Sequence, residues 1–166
     1  MRLVESLRII ALRHTGSGRD AIVDAAAAND LPPLPDAGRF AGTDPFVVWR
    51  NPGEWVLVAV SAAEIVDEML GALAPGREPD ACAVDQTDGA VCVELQGAGL
   101  DGVLSRLIDA NAPQSSGEGT RTGLGSIAVI VLRMAEDRVW LLADRSVTRY
   151  LIDWLAYAID RRQDSG

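Results

Sequence analysis

The sequence predicts an α+β fold in which two tandem ferredoxin-like (βαββα) half-repeats, at about 5–86 and 88–163, form a single domain over residues 1–166. Two pairs of apolar runs, at Phe46–Val60 and Ile127–Ala143, each predict a hairpin that leads directly into a helix. Residues 11–18 also align with residues 92–99 at an offset of about 81. A period of half the chain indicates duplication of one unit rather than a solenoid of short repeats.

The first half begins with a strand and a short helix. The β-branched, apolar run Leu7–Leu12 predicts the strand. The alanine-rich run Arg19–Asn29 predicts the helix, because alanine has the highest helix propensity. Three prolines in Leu31–Pro35 exclude a helix interior, so an extended connection to Phe40 is expected before the first hairpin.

The first hairpin turns at Asn51–Gly53, and a helix follows over Ser61–Leu73. Ser61 and Glu64 have the spacing of a capping box, in which each side chain accepts a hydrogen bond from a free backbone N–H. A strand at Ala81–Asp85 completes this half.

The second half repeats this order. Ala90–Leu95 predicts a strand, and apolar residues at helical spacing in Leu100–Ile108 predict one buried helix face. Asn111–Thr122 is rich in Pro, Ser and Gly and predicts a surface loop. A long helix closes the chain, with Asp144 or Ser146 as its cap. Its predicted apolar stripe contains Val147, Tyr150, Leu151, Trp154, Leu155, Ala158 and Ile159.

Composition excludes several classes of protein. The net charge of −9 argues against a nucleic-acid partner, because phosphate binding needs a basic face. No apolar run approaches the length that spans a membrane, and Met1–Ala11 has no signal-peptide layout, so a cytoplasmic protein is expected. Cys82 and Cys92 are expected to be buried, reduced thiols.

One glycine motif has a functional interpretation. Gly97, Gly99 and Gly102 spell G-x-G-x-x-G between a strand and a helix, which is the pattern of dinucleotide-binding turns. Gly16 and Gly18 stand at matching positions in the first half, so the motif is better explained as the tight turn of the repeat, which needs positive φ. A small nucleotide-binding regulator remains a third hypothesis for function.

Other candidate residues have structural interpretations. His14, the only histidine, is interpreted as a surface residue in a turn, and neighbouring Ser17 lacks the context of a catalytic nucleophile. Asp85 and Asp88 are predicted to hydrogen-bond their own backbone in a turn rather than to act as paired acids. Glu54 is predicted to face solvent.

The chain therefore shows no reactive constellation, and we predict no catalytic, cofactor-binding or metal site in it. The four tryptophans, Trp49, Trp55, Trp140 and Trp154, are expected in the core or half-buried, with some of them available to anchor a partner. A well-specified apolar pattern without reactive groups favours a structural or binding role.

Several segments resemble the gamma subunit of heterotetrameric sarcosine oxidase, a relative of the folate-binding aminomethyltransferase (T-protein) fold. The order of the segments and the composition of the last one carry the resemblance. The segments are Leu34–Phe40, Trp49 with Pro52–Leu57, Val84–Gly89, Glu94–Gly97, Arg121–Leu124 and Arg145–Leu155.

The resemblance implies a T-protein-like domain that acts as an accessory subunit of an amine-demethylating oxidase. It implies that FAD, FMN, NAD and tetrahydrofolate bind to larger partner subunits, that zinc lies on the smallest, and that this chain binds no cofactor. The segment Ala110–Thr122 departs from the family's cysteine-containing pattern, so the substrate stays open between sarcosine and another N-methyl or O-methyl compound.

The alternative is a stand-alone, folate-dependent aminomethyl or methyl transferase. In that case Asp85 or Glu94 would hold the pterin ring by paired hydrogen bonds.

Overall fold

A computed structural model of the chain describes residues 1–108 and 112–163, which contain ten strands and four α-helices. In chain order, these are β1 Arg2–Leu3, β2 Arg8–His14, α1 Gly18–Ala28, β3 Phe40–Gly42, β4 Phe46–Asn51, β5 Glu54–Ala59, α2 Ala63–Ala72, β6 Ala81–Asp85, β7 Ala90–Gln96, α3 Leu100–Leu107, β8 Gly119–Leu124, β9 Ile127–Ala135, β10 Arg138–Asp144 and α4 Thr148–Gln163. The α+β class predicted from the sequence is confirmed.

The chain divides into two units. The N-terminal unit is Glu5–Asp88, and the C-terminal unit combines Gly89–Gly166 with Met1–Val4. The assignment of residues 1–166 to one domain stays a prediction.

The N-terminal unit is built on an antiparallel sheet with the strand order β3-β4-β5-β2-β6. The predicted hairpin is confirmed, because β4 pairs with β5 across the Asn51–Gly53 turn. One face of the sheet packs against α1 and α2. The buried side chains of this core include Leu12, Ile22, Leu57, Val66 and Met69.

The C-terminal unit has an antiparallel sheet with the order β1-β7-β10-β9-β8. Its core lies under α3 and α4 and includes Val93, Leu104, Val131, Leu141 and Leu151. Burial of such side chains contributes about 1.5–3 kcal/mol each, so the predicted apolar helix faces account for the packing of both helices.

One predicted element was wrong, and two short strands were not predicted. Gly119–Thr122 belongs to strand β8 and not to a surface loop, because it pairs with β9 along its whole length. Asn111, the first residue of the predicted loop, lies outside the described residues. The strands that were not predicted are β1 and β3, because runs of two or three residues are too short to give a periodic pattern.

The predicted capping box at the start of α2 is also wrong. The N-cap is Ala62 and not Ser61, and an alanine side chain has no atom that could accept a capping hydrogen bond. Instead, the carboxylate of Asp44 accepts hydrogen bonds from the backbone N–H groups of Val60 and Ser61, each at 2.8 Å. Burial opposes ionisation of Asp44, but these bonds hold its pKa below the ordinary value.

The start of α4 follows the prediction more closely. Asp144 accepts a hydrogen bond from the backbone N–H of Ser146 at 2.8 Å and caps the 3₁₀ turn Arg145–Val147, which leads directly into α4.

Candidate functional site

The glycine motif at Gly97, Gly99 and Gly102 begins with the tight turn between β7 and α3 that the matching glycines of the first half indicated. Gly97 has φ of 145° and Gly99 has φ of 74°, so both adopt conformations that favour glycine. Gly99 is the N-cap of α3 and offers no side chain to its first N–H groups. The tight-turn interpretation is confirmed.

Glu94, one of the two candidate pterin ligands, is fully engaged by its own chain. It is 4% exposed, and its Oε1 accepts a hydrogen bond from Arg2 Nε at 2.6 Å. The indole Nε1 of Trp140 donates to Oε2 at 2.9 Å. The Arg2 hydrogen bond holds the pKa of Glu94 below its ordinary value of 4.5, although burial opposes ionisation. Glu94 is therefore an ionised structural acceptor.

Asp85, the other candidate, serves a turn. Its Oδ1 accepts a hydrogen bond from the backbone N–H of Thr87 at 2.8 Å, which confirms the predicted backbone contact. Hydrogen bonds from Thr87, with the nearby Arg8 guanidinium, hold the pKa of Asp85 below its ordinary value. The two candidate carboxylates also lie in different units.

The interpretation of His14 as a surface turn residue was wrong. His14 is the last residue of β2, and its ring stacks on Trp55 with 5.2 Å between centroids. Both ring nitrogens are buried and have no hydrogen-bond partner within residues 1–108 and 112–163. Trp55 is held in turn by a 3.0 Å hydrogen bond to the carbonyl of Pro35. The histidine packs within the N-terminal unit.

Glu54, predicted to face solvent, is 9% exposed. Its carboxylate binds Arg50 Nη1 at 2.7 Å and lies 3.5 Å from Arg13 Nε. A buried carboxylate requires such pairing, because an isolated charge loses its solvation. The local turn pattern did not reveal the two arginines that permit burial.

Arg133 is a buried charge that sequence reasoning missed. It lies on β9, is 2% exposed, and pairs with Asp101 in the first turn of α3. Its position within the apolar run Ile127–Ala135 was the available signal, because a charge inside a strand of that composition needs a partner.

Both cysteines are free, as predicted, but their burial differs. Cys92 is 1% exposed, and burial raises its pKa, whereas Cys82 is half-buried. Within residues 1–108 and 112–163, no cluster of three or more His, Cys, Asp or Glu residues could hold a metal ion. None of the described helices is both long and apolar enough to cross a membrane.

The tryptophans divide as the sequence allowed. Trp55 and Trp140 are buried and Trp49 is half-buried, whereas Trp154 is 38% exposed. The predicted apolar stripe of α4 is therefore too wide, because Tyr150 and Trp154 are exposed whereas Val147 and Ile159 pack partly buried against the core. The buried members of that stripe are Leu151, Leu155 and Ala158.

Three aromatic side chains form an exposed row on α4, which we call the aromatic face: Tyr150, Trp154 and Tyr157. Their exposed fractions are 38%, 38% and 51%. Adjacent rings lie 6.1 Å apart between centroids, with tilted and edge-to-face geometries that favour contact. Their spacing of four and three residues places them on one side of a helix, and this sequence signal could have identified the row.

A shallow, open depression of about 350 Å³ adjoins this row at the β8–β9 turn. Gly125 in the turn lines the depression, and a Cβ there would lie 3.4 Å from Tyr150 Oη and 4.0 Å from Trp154. Arg121 also lines it. The turn, the depression and the aromatic face therefore form one continuous surface of the C-terminal unit.

Comparison with known proteins gives two informative structural neighbours. No protein-family model and no curated protein sequence matches the chain. A chain of the heterotetrameric sarcosine oxidase from Corynebacterium sp. U-96, in complex with pyrrole 2-carboxylate, matches with a TM-score of 0.83 and 25% identity, over 96% of this chain and 83% of that one. The glycine cleavage system aminomethyltransferase T from Bartonella henselae matches with a TM-score of 0.58 and 17% identity, over 92% of this chain and 44% of that one.

The second likeness shows a shared fold, and the first extends over nearly the whole chain at higher similarity. Together they confirm the resemblance carried by segments such as Leu34–Phe40 and Arg145–Leu155. These two neighbours support the resemblance to the sarcosine oxidase gamma subunit family.

Proposed function

We propose that this chain is a non-catalytic accessory subunit of a multi-subunit oxidase or dehydrogenase that uses flavin and tetrahydrofolate. The complex would oxidatively demethylate sarcosine or a similar N-methyl compound. The likeness to a chain of a heterotetrameric sarcosine oxidase, over 96% of this chain, is the observation that carries the proposal.

The hydrogen bonds that the candidate carboxylates already make within the chain support an accessory role. Both oxygens of Glu94 already accept hydrogen bonds from Arg2 and Trp140, so a pterin would have to displace a buried partner. Leaving a buried donor unpaired costs about 1–3 kcal/mol, which would weaken such binding. In this proposal FAD, FMN, NAD, tetrahydrofolate and zinc belong to the partner subunits.

We also propose that the fold arose by duplication, so that a T-protein-like chain contains two ferredoxin-like halves. Strands β4-β5-β2-β6 of the N-terminal unit have the order 2-3-1-4 of a βαββαβ unit, with β3 added at one edge. In the C-terminal unit, β9-β10-β7 follow the same order, and β1 lies beside β7 where β6 lies beside β2.

Purification from the native host tests the proposal. The full chain, carrying an affinity tag, is isolated with its partners, which mass spectrometry identifies. We expect a large flavoprotein to co-purify and the complex to show flavin absorbance. The chain expressed alone should give no flavin spectrum and no heat with tetrahydrofolate in calorimetry. Flavin or folate binding by the isolated chain would contradict the accessory role.

A further inference from the structure

The aromatic face has the composition of a binding surface. Tyr, Trp and Arg are the residue types enriched where binding energy concentrates in protein interfaces. Tyr150, Trp154 and Tyr157 supply the first two types. Exposed Arg149, beside Tyr150 on α4, and exposed Arg121, which lines the adjoining depression, supply the third type.

The row is also preorganised. Ring contacts order Trp154 against both tyrosines, and the β8–β9 turn lies beneath Tyr150 and Trp154 at Gly125. Rigid aromatic side chains lose little conformational entropy when a partner covers them. The helix that carries them is anchored by the buried residues Leu151 and Leu155, so the row has a fixed support.

The charges around the row select the chemistry of a partner. Arg149 has a side chain that is 96% exposed, and its ion pair with Asp153 is long, at 3.8 Å. Such an exposed pair contributes little, so the guanidinium can bind another carboxylate at small cost.

We propose that the aromatic face, with the depression at the β8–β9 turn, is a docking surface for a partner protein. The partner's contact surface is apolar at its centre and carries carboxylates at its rim. This inference rests on the proposed function, since it assigns the surface by which the accessory subunit joins its complex. The three aromatic rings fill the centre of the contact, and the arginines pair with the carboxylates.

Residue-level footprinting tests the site directly. Hydroxyl radicals label exposed aromatic side chains, and mass spectrometry compares the free full chain with the purified complex. We expect labelling of Tyr150, Trp154 and Tyr157 to fall at least about fivefold in the complex, as expected for side chains in a desolvated contact. Val23, an exposed apolar residue on α1, provides the reference position and should keep its labelling.

An affinity measurement gives an independent test. Trp154→Ala should weaken binding of the fluorescently labelled chain to the purified partner about 30-fold or more, the effect of losing a hot-spot residue. Arg149→Glu should weaken it further as salt is lowered, because it opposes the partner's carboxylates. Val23→Ala is the matched control and should bind as the wild type does. Circular dichroism confirms that each variant is folded.

The remaining outcomes overturn the inference in distinguishable ways. If the complex forms but the row keeps its labelling and Trp154→Ala binds normally, the docking surface is wrong and the accessory function stands. If no flavoprotein complex forms, the proposed function fails and the inference fails with it. If sedimentation shows a dimer of the free chain that Trp154→Ala dissociates, the occupant is a second copy and not an acidic partner.

Discussion

Helices α2 and α4 occupy equivalent places in their own units, but their solvent-exposed sides differ in chemical character. Each follows a hairpin and covers its sheet with a buried stripe, such as Val66 and Met69 on α2. The exposed side of α2 carries the acidic residues Glu64, Asp67 and Glu68. On α4 the exposed side carries the aromatic face. Packing on a sheet requires only one apolar face, so a polar outer side is the usual arrangement and the rings of α4 need another explanation.

The charge of the two units differs in the same direction. The N-terminal unit contains fourteen acidic residues and six arginines, which gives −8 of the total net charge of −9. The C-terminal unit, with ten acidic residues and nine arginines, is almost neutral. Acidic surfaces repel one another and favour solubility, whereas a balanced surface with exposed aromatic residues favours association.

Two glycines near the starts of α1 and α3 provide the largest test of this comparison, because a side chain is excluded at Gly18 and has room at Gly102. At Gly18 a Cβ would lie 1.9 Å from the carbonyl oxygen of Asp80, next to β6. We expect Gly18→Ala to lower the free energy of unfolding by about 3 kcal/mol, since backbone atoms must move. At Gly102 in α3 a Cβ would meet no atom of the described residues within 4 Å apart from the helix's own backbone, so Gly102→Ala should stabilise the chain by about 0.5–1 kcal/mol.

Urea unfolding of both variants measures these effects. Equal changes in stability at the two positions would exclude the close approach of the Asp80 backbone as the reason for glycine at position 18.

The buried carboxylate of the C-terminal unit provides the next test. Glu94→Gln removes the charge that Arg2 and Trp140 bind, and should cost about 1.5–3 kcal/mol at neutral pH. The folded-state pKa of Glu94 lies below its ordinary value, so its stabilisation is present above about pH 4.5 and is lost as pH falls through the folded pKa. The difference between wild type and variant should therefore shrink on acidification, which urea titrations from pH 7 to pH 3 measure.

Glu136→Gln is the control for this experiment, because Glu136 is exposed and the substitution changes the net charge equally. A difference between wild type and Glu94→Gln that stays constant with pH would exclude the ionised hydrogen bonds as its source.

Different kinds of residue stabilise the starts of α2 and α4, and this difference provides a smaller test. A local aspartate, Asp144, caps the turn before α4, whereas the distant Asp44 serves the approach to α2. Asp44→Ala should cost about 1 kcal/mol, as loss of a cap does, because two backbone N–H groups lose their acceptor. Ser61→Ala should cost less, below about 0.5 kcal/mol, since it removes only a hydroxyl contact with exposed Asp44 and leaves both backbone hydrogen bonds in place. Thermal unfolding that gave the larger loss for Ser61→Ala would restore the capping box.

These cases show what local sequence pattern can predict here. The hairpins, the faces of α2 and α3 and the positive-φ glycines depend on neighbouring residues, so periodicity and turn chemistry predicted them. The acceptor at α2 and the pairing of Glu54 with Arg13 depend on residues distant in sequence, which a pattern of neighbours does not contain. Strand β8 pairs with the adjacent β9, but its polar, glycine-containing composition is also typical of a loop. The outer side of α4 was missed for a related reason: apolar residues at helical spacing indicate a helix but do not show how wide a stripe its sheet covers.

The smallest effect is expected at Arg149, and it decides whether the outer face of α4 contributes to folding. The Arg149–Asp153 pair is exposed and 3.8 Å long, so Arg149→Ala should change the free energy of unfolding by less than about 0.5 kcal/mol. On α2, Asp67 contacts Arg8 of β2 at 2.9 Å and so connects the helix to its sheet. Urea unfolding of Arg149→Ala and Asp67→Asn, at low and high salt, compares the two positions. A loss at Arg149 larger than the loss at Asp67 would mean that this arginine stabilises its own unit, and its assignment to a partner would then be unnecessary.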